Sequence, residues 1–427
     1  MVATLDNYLD ISGARVVQRC DRLGVQPFSD LEKGLFRAYL MPAHAATINT
    51  IATWMSEAGM STRIDSAGNL IGRYEGVAPD APALVIGSHV DSVYDAGRYD
   101  GPLGVLLGIE TVASLHADGR RFPFAIEVVA FGDEEGSRFP ISMICSRAMA
   151  GTLTEDDLAV TDAAGKTPEQ ALNVFREWVF RPMKNIDPRT AARRSEDILA
   201  YLEPHIEQGP VLQAEDLAVG VVTGIAGQLR FGVEITGAAA HAGTTTMALR
   251  KDALAGAAEM LVAIETIALE IGEDLVATAG QIDAWPGSTN VIPGRVSFSL
   301  DIRSGDMARR NFAAEAIERA AHKIAEKRGL SIAWTQLQDL ASSPCDEALS
   351  DLLGTALERA GHTRRALVSG AGHDAMVMSA LCPTAMLFIR CKDGISHNPA
   401  ERVRIDDTQA ALDVMLEFIS LLEARER

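Results

Sequence analysis

Cysteine is scarce in this chain, and none of it is arranged as a pair. The five residues, Cys20, Cys145, Cys345, Cys382 and Cys391, are odd in number and scattered, with no Cys-x-x-Cys spacing. This spells out neither a zinc ribbon nor a disulfide framework. Reduced, mostly buried thiols in a cytoplasm are expected. Cations are also in deficit: 39 Lys and Arg face 58 Asp and Glu, a formal net charge of −19. Such a surface argues against nucleic acid and anionic membrane as partners, and an anionic substrate would need cations placed locally to meet it. No apolar run approaches the ~20 residues of a membrane span. The opening residues, Met1 to Tyr8, lack a basic stretch followed by an apolar one, so no secretory signal is expected. Internal repeats and low-complexity tracts are missing as well.

What is present is an ordinary globular composition, 47% apolar and 23% charged, in 427 residues. That is too long for one core and comfortable for two domains. The first part alternates helix and strand patterns. Residues 44–60 are amphipathic, 83–87 and 124–131 read as buried strands, and 103–115 as the crossover helix between them. This is α/β patterning with a mixed, largely parallel sheet flanked by helices. Residues 151–200, charged and proline-containing, read as a helical excursion.

Near Gly224 the pattern changes. Strands are expected at 229–236, 275–285, 295–302 and 330–337, with helices at 250–271 and 306–328. That order, β-α-β-β-α-β, is a compact α+β unit of domain size. After Pro344 the α/β style returns: a helix at 346–360, a strand at 384–390, and a closing helix at 405–423 with Asp406 and Gln409 as a capping-box-like start. Residues 224–344 are therefore expected as a smaller α+β domain inserted into a catalytic α/β domain of residues 1–223 and 345–427.

Four polar segments fall beside strand ends or turns of the α/β part. The first, Gly87–Gly101, holds His89, Asp91 and Asp100 just after a buried strand. Open α/β sheets place ligands at such strand ends. Imidazole and carboxylate suit Zn2+, Mn2+ or Co2+, and Asp91 is spaced to accept the second ring N–H of His89. Alone, a His-x-Asp is more commonly a surface histidine beside a solvated aspartate. The second segment, 131–140, carries Glu134 and Glu135. Adjacent glutamates can divide labour, one holding metal and the other acting as general base on the attacking water; alone they are an acidic turn. The third and fourth, 204–210 and 394–399, supply His205, flanked by turn formers, and His397. Each histidine alone would more often be structural. Together the four segments could serve two metals bridged by one carboxylate.

Six ordered motifs, Gly-Ser-His-Val-Asp, Asp-Glu-Glu-Gly-Ser-Arg-Phe, His-Ile-Glu-Gln-Gly, Ala-His-Ala-Gly-Thr-Thr, Asn-Val-Ile-Pro-Gly and Gly-Ile-Ser-His-Asn-Pro-Ala-Glu, span nearly the whole chain. The sequence thereby resembles the M20-type metal-dependent amidohydrolases. It is most similar to their carbamoylase branch, which includes N-carbamoyl-L-amino acid hydrolase, β-ureidopropionase and allantoate amidohydrolase. Ser92, Ala96 and Thr246 stand where the branch usually has Thr, Gly and Pro, and none of them replaces a ligand.

The resemblance implies two divalent ions per chain, Zn2+ or Mn2+ foremost, with Co2+ or Ni2+ also accepted. His89, Asp100 and His205 would hold one, and Asp100, Glu135 and His397 the other. Glu134 would be the general base, and Asp91 the partner that orients His89. From the inserted domain, His241, acting from a partner subunit, and Asn290 would stabilise the oxyanion, while Arg303 would clamp a substrate carboxylate. Gln208 and the turn containing Gly372 and His373 would line the ureido pocket. Taken singly, Arg303 could be a surface salt bridge and Asn290 a turn residue.

The implied activity is hydrolysis of a ureido acid with release of ammonia and CO2 by a cytoplasmic homodimer joined through the inserted domain. Allantoate is placed first, with N-carbamoyl-L-amino acids and β-ureidopropionate as alternatives. A dipeptidase or aminopeptidase on the same scaffold is a remoter reading, against which Gln208, Asn290 and His-Ile-Glu-Gln-Gly count. A non-catalytic binding protein is another, and it would be expected to have lost a ligand or Glu134; neither is lost.

Overall fold

The computed structural model describes residues 10–426. The opening segment, read above for a secretory signal, falls outside these residues. Two compact units form. One comprises the chain up to Thr223, Cys345–Leu367 and the residues from His373 onward; the other comprises Gly224–Pro344 with Val368–Gly372.

The first unit is built on a mixed sheet whose centre is parallel. Ala125–Phe131, Ala83–His89, Ile198–Ile206 and Thr384–Ile389 lie side by side in that order, each parallel to its neighbour. Antiparallel strands flank them: Leu70–Tyr74 and Ser61–Ile64 on one side, Val219–Ile225 on the other. Every residue of Ala83–His89 and of Ala125–Phe131 is buried, as expected of a parallel sheet covered on both faces. The helix Pro102–Ala117 is buried over nearly its whole circumference. It approaches the sheet closely because Gly104 has no side chain; a Cβ there would fall 2.0 Å from the Pro204 carbonyl oxygen. Because the four central strands are parallel, their carboxyl ends share one edge of the sheet, and the loops leaving that edge converge.

The expected elements differ from the observed ones at several points. Residues 151–200 are not one helical excursion. They form short helices at Glu155–Leu158 and Pro168–Phe175 and two single 3-10 turns, and the strand Ile198–Ile206 begins at their end. His205, read as flanked by turn formers, is the penultimate residue of this strand. Pro204 is tolerated because pairing with Ala83–His89 ends at Leu202, so no ladder hydrogen bond is lost on that side. The closing helix runs Ile405–Glu426, so Asp406 lies inside its first turn rather than ahead of it. The Gln409 side chain instead accepts the Gly13 N–H at 2.8 Å and donates to Asp413 at 2.8 Å.

The second unit is a sheet with two helices on one face. Its strands run in the order Ile282–Trp285, Arg295–Ser304, Gly227–Thr236, Ser331–Leu340, all antiparallel. The single strand expected over 275–285 is two, Val276–Thr278 and Ile282–Trp285, separated at Gly280. Alternate residues of Arg295–Ser304 are buried, the signature of a sheet with one covered face. Val296, Phe298, Leu300 and Ile302 pack with Ala257, Met260 and Ile264 of the helix Ala253–Ile271 and with Ala313, Ile317 and Ala321 of Met307–Arg328. Asp252 and Asp306 start these helices by accepting backbone N–H groups of the first turn. Among the described residues no helix is long and apolar enough to cross a membrane.

Candidate metal centre

The carboxyl ends of the four parallel strands deliver the polar segments to one place. His89 ends its strand. Glu134 and Glu135 follow Phe131, His205 lies at the end of Ile198–Ile206, and His397 is on the loop after Ile389. Asp100 arrives on the loop after His89, where Gly101 adopts φ +82° just before the helix Pro102–Ala117. A side chain at Gly101 would meet the His89 ring at 2.6 Å, so the Asp100 turn lies tight against that imidazole.

Asp100 is the hub. Its Oδ1 lies 3.2 Å from His205 Nε2 and 3.5 Å from His89 Nε2, and its Oδ2 lies 3.3 Å from His397 Nε2. His397 Nε2 is also 3.5 Å from Glu135 Oε1. Two overlapping groups result, His89–Asp100–His205 and Asp100–Glu135–His397, each with its ligand atoms within 4.8 Å of one another. A third, His89–Glu134–Glu135, satisfies the same distance.

The ring nitrogens facing away from the hub are occupied. His205 Nδ1 is 2.9 Å from the Ile206 carbonyl oxygen. His89 Nδ1 is 3.3 Å from the Asp91 carboxylate and 3.2 Å from the Asp91 carbonyl. With these Nδ1 atoms protonated, each neutral ring turns an Nε2 lone pair to the hub, where either a proton or a metal ion can sit between it and Asp100, and the two Nε2 atoms stand 3.4 Å apart. Two lone pairs directed at each other and at a carboxylate fit a cation between them, so the donor set suits divalent metal.

Electrostatics point the same way. Burial pushes the Glu134 carboxyl well above the ordinary carboxylate range and Glu135 up to about 7. Burial alone would raise Asp100, but hydrogen bonds from His205, His397 and His89 outweigh it and hold Asp100 well below its usual value. The bond to Asp100 lifts His397 to about 9. Burial would lower His89, yet Asp100 and Asp91 together raise it well above its usual value. This is a buried nest of acids and imidazoles that positive charge would stabilise.

Asp91 does more than face His89. Its two carboxylate oxygens accept the backbone N–H groups of Glu134 and Glu135 at 3.0 and 3.1 Å, fixing the turn that carries both glutamates. Gln208, expected at the ureido group, donates to Asp100 Oδ2 at 2.9 Å and to Ser396 Oγ at 3.1 Å. His373 is buried and packs edge-on against His205 with ring centroids 4.5 Å apart; burial and the neighbouring imidazole keep it well below its usual pKa. Sequence reasoning assigned no role to Ser396, which donates to Asp100 Oδ2 at 2.5 Å, or to Glu401. Glu401 Oε1 accepts the N–H groups of Tyr99 and Asp100, and burial followed by the Asp100 charge pushes its carboxyl to about 7. Both residues sit beside His397 in the last quoted motif, and that proximity was the only available signal.

The remaining candidates belong to the second unit. His241 is exposed and lies on a two-stranded ribbon, Ala240–His241 with Val291–Ile292, where it pairs with Val291. Asn290 precedes that partner strand, and its carbonyl accepts the Ala242 N–H at 2.9 Å, so the ribbon brings His241 and Asn290 together. His241 Nδ1 accepts the Gly243 N–H at 3.1 Å, which leaves the proton on the outward Nε2. The Nε and Nη2 edge of Arg303 is paired with Asp301 at 2.8 and 3.0 Å, and Nη1 donates to the Gly370 carbonyl at 2.6 Å. Gly372 also groups with this unit.

The family model described as Peptidase family M20/M25/M40 matches residues 85–421. The chain belongs to this family. Its similarity to an N-carbamoyl-L-amino acid amidohydrolase of Geobacillus stearothermophilus is 40% identity, over 95% of this chain and 97% of that protein. A probable allantoate deiminase of Oryza sativa subsp. japonica is 38% identical, over 96% of this chain and 89% of that protein. A crystallised amidase of the hydantoinase/carbamoylase family from Burkholderia multivorans superposes with a TM-score of 0.87 at 36% identity, covering 96% of this chain and 98% of that one. Within the M20 family the chain thus falls in the carbamoylase branch, and it is a hydrolase of carbon–nitrogen bonds outside peptides.

Proposed function

We propose that this chain hydrolyses the terminal C–N bond of a ureido acid, releasing ammonia and CO2, with allantoate as the first substrate to test. N-carbamoyl-L-amino acids have equal support from the relatives, and β-ureidopropionate completes the set. The observation that carries the reading is the placement of Asp100 between two ligand groups in a chain of this family.

Two divalent ions, one held by His89, Asp100 and His205 and the other by Asp100, Glu135 and His397, would supply Lewis acidity and make a water nucleophilic near neutral pH. A urea carbonyl is a poor electrophile, so the protein groups around it matter. Glu134 takes the proton from the attacking water and passes it to the terminal nitrogen, which leaves as ammonia. The carbamate left on the substrate then loses CO2. Asp91 orients His89 and, through two N–H bonds, the Glu134–Glu135 turn. His241, with its proton on Nε2, and Asn290 donate to the developing oxyanion. Arg303 anchors the substrate carboxylate. Asp301 holds one edge of its guanidinium and so fixes its plane; Nη1 already donates to the Gly370 carbonyl and Nη2 to Asp301, so each keeps one further N–H for a carboxylate. Gln208 and His373 support Asp100 and His205 besides any contact with the ureido group.

Ammonia release measured across allantoate, N-carbamoyl-L-amino acids, β-ureidopropionate and dipeptides, with each of Zn2+, Mn2+, Co2+ and Ni2+ added back, tests the reading. Turnover of a ureido acid is expected. Cleavage of dipeptides with no ureido turnover would overturn it.

A further inference from the structure

Glu401 lies a short way beyond His397 but reaches across to the loop of Asp100. It is completely buried. Its Oε1 accepts the Tyr99 N–H at 2.7 Å and the Asp100 N–H at 3.1 Å. Gly97 makes the room; a Cβ there would fall 2.2 Å from Glu401 Cδ. The other oxygen, Oε2, finds no hydrogen-bond partner among the described residues. A buried carboxylate with an unpaired oxygen is costly, so the two charge-assisted bonds it does make must be worth keeping. Its loop is closed at the base: Cys391 bridges Val403, and the Lys392 N–H donates to the Arg402 carbonyl at 2.8 Å. One closed loop therefore carries both His397 and the carboxylate that grips the backbone of Asp100. On its other side the Asp100 turn is backed by the His89 ring.

We propose that Glu401 is a positioning residue of the metal centre. By holding the backbone of Asp100 to the loop of His397, it sets the geometry of the shared carboxylate against its imidazole partners and thereby the affinity for metal. The inference rests on the reading of Asp100 as the shared ligand. A glutamate that merely supported the fold would change stability alone, whereas this one should change metal affinity.

The test compares the wild type with Glu401→Ala, Glu401→Gln and Gly97→Ala. Each is stripped with a chelator and titrated with Zn2+ against a competing indicator, and then assayed for kcat and KM. Glu401→Ala should lose roughly 10–100-fold in affinity for at least one ion, the range for groups that orient ligands. At limiting metal its kcat should fall while KM holds. Glu401→Gln keeps an acceptor at Oε1 and should restore most of the affinity. Gly97→Ala drives a methyl group into the carboxylate with Glu401 itself intact, and should reproduce the loss. Wild-type affinity in all folded variants, with only a lowered Tm, would overturn the inference. If Glu401→Ala does not fold, equal affinity in Glu401→Gln and Gly97→Ala overturns it. A wild type that takes up no metal would remove the metal reading itself and this inference with it.

Discussion

His89 and His205 present their Nε2 atoms to each other at 3.4 Å, while the Nδ1 of each faces an acceptor of its own, Asp91 and the Ile206 carbonyl. Neither imidazole can satisfy the other in the neutral state, because both inner nitrogens are acceptors. The Asp100 carboxylate beside them adds negative charge rather than a donor. The pair is arranged for a cation.

Removing the hub should therefore remove metal. Reconstituted wild type should hold up to two ions per chain by elemental analysis, and Asp100→Ala should hold fewer and lose turnover. An Asp100→Ala protein that still carries two ions and still works would refute the bridging role.

Glu134→Gln should separate metal binding from chemistry. Metal content should stay at the wild-type value while turnover falls by about 10²–10⁴, the usual contribution of a general base. A drop of less than about tenfold would assign proton transfer to another group.

Arg303 should discriminate by substrate charge. Arg303→Ala should slow a ureido acid far more than its uncharged amide, and Arg303→Lys should also be impaired because it keeps the charge but loses the fork. Misplacing the ureido carbonyl affects kcat as well as KM. Equal slowing of acid and amide would make Arg303 a structural partner of Asp301 and place the carboxylate contact elsewhere.

The oligomer can be read directly. The edge strand Ser331–Leu340 exposes Leu337 and Leu340, and the opposite edge strand exposes Ile282 and Trp285. A free strand edge that carries exposed apolar side chains among polar ones suits a two-fold pairing of identical copies. Light scattering should give twice the chain mass at micromolar concentration, and Leu337→Asp should shift it towards the monomer. A fully active wild-type monomer would contradict both the dimer and the action of His241 from a partner subunit.

His44 should make stability acid-sensitive. It is fully buried, stacked on Phe175, and its Nδ1 accepts the Leu40 N–H at 3.0 Å. Burial lowers its pKa to about 3, against about 6.5 in the unfolded chain. The unfolded state thus binds the extra proton first. The contribution of neutral His44 is complete above about pH 6.5 and is lost as pH falls towards about 3, by up to about 1.4 kcal/mol per pH unit. Urea unfolding between these values should show a shallower decline for His44→Gln. Parallel curves for the two proteins would refute this.

Sequence alone exposed the chemistry because chemistry sits at strand ends. The buried strand before His89, the two glutamates after Phe131 and the loop of His397 each follow a short apolar run, and such runs are legible locally. His205 was legible as a residue but not as part of a strand, because Pro204 is a turn former in most contexts and only the neighbouring strands show that its missing N–H is harmless. The break at Gly280 and the short helices of 151–200 were likewise decided by what they pack on, which local pattern does not encode.

The identity and spacing of the candidate ligands, and the alternation of α/β and α+β segments, were properties of the sequence itself. Tertiary structure decided which of those residues meet. Asp100 joins His205, Gln208, Ser396, His397 and Glu401 only because strands far apart in the chain lie adjacent and parallel, so that their carboxyl ends open on the same side. The same holds for Glu401: a glutamate in a loop looks solvated until strand order places the backbone N–H of Asp100 against its carboxylate. Periodicity reports which face of an element is buried, and it carries no information about the neighbour that covers that face.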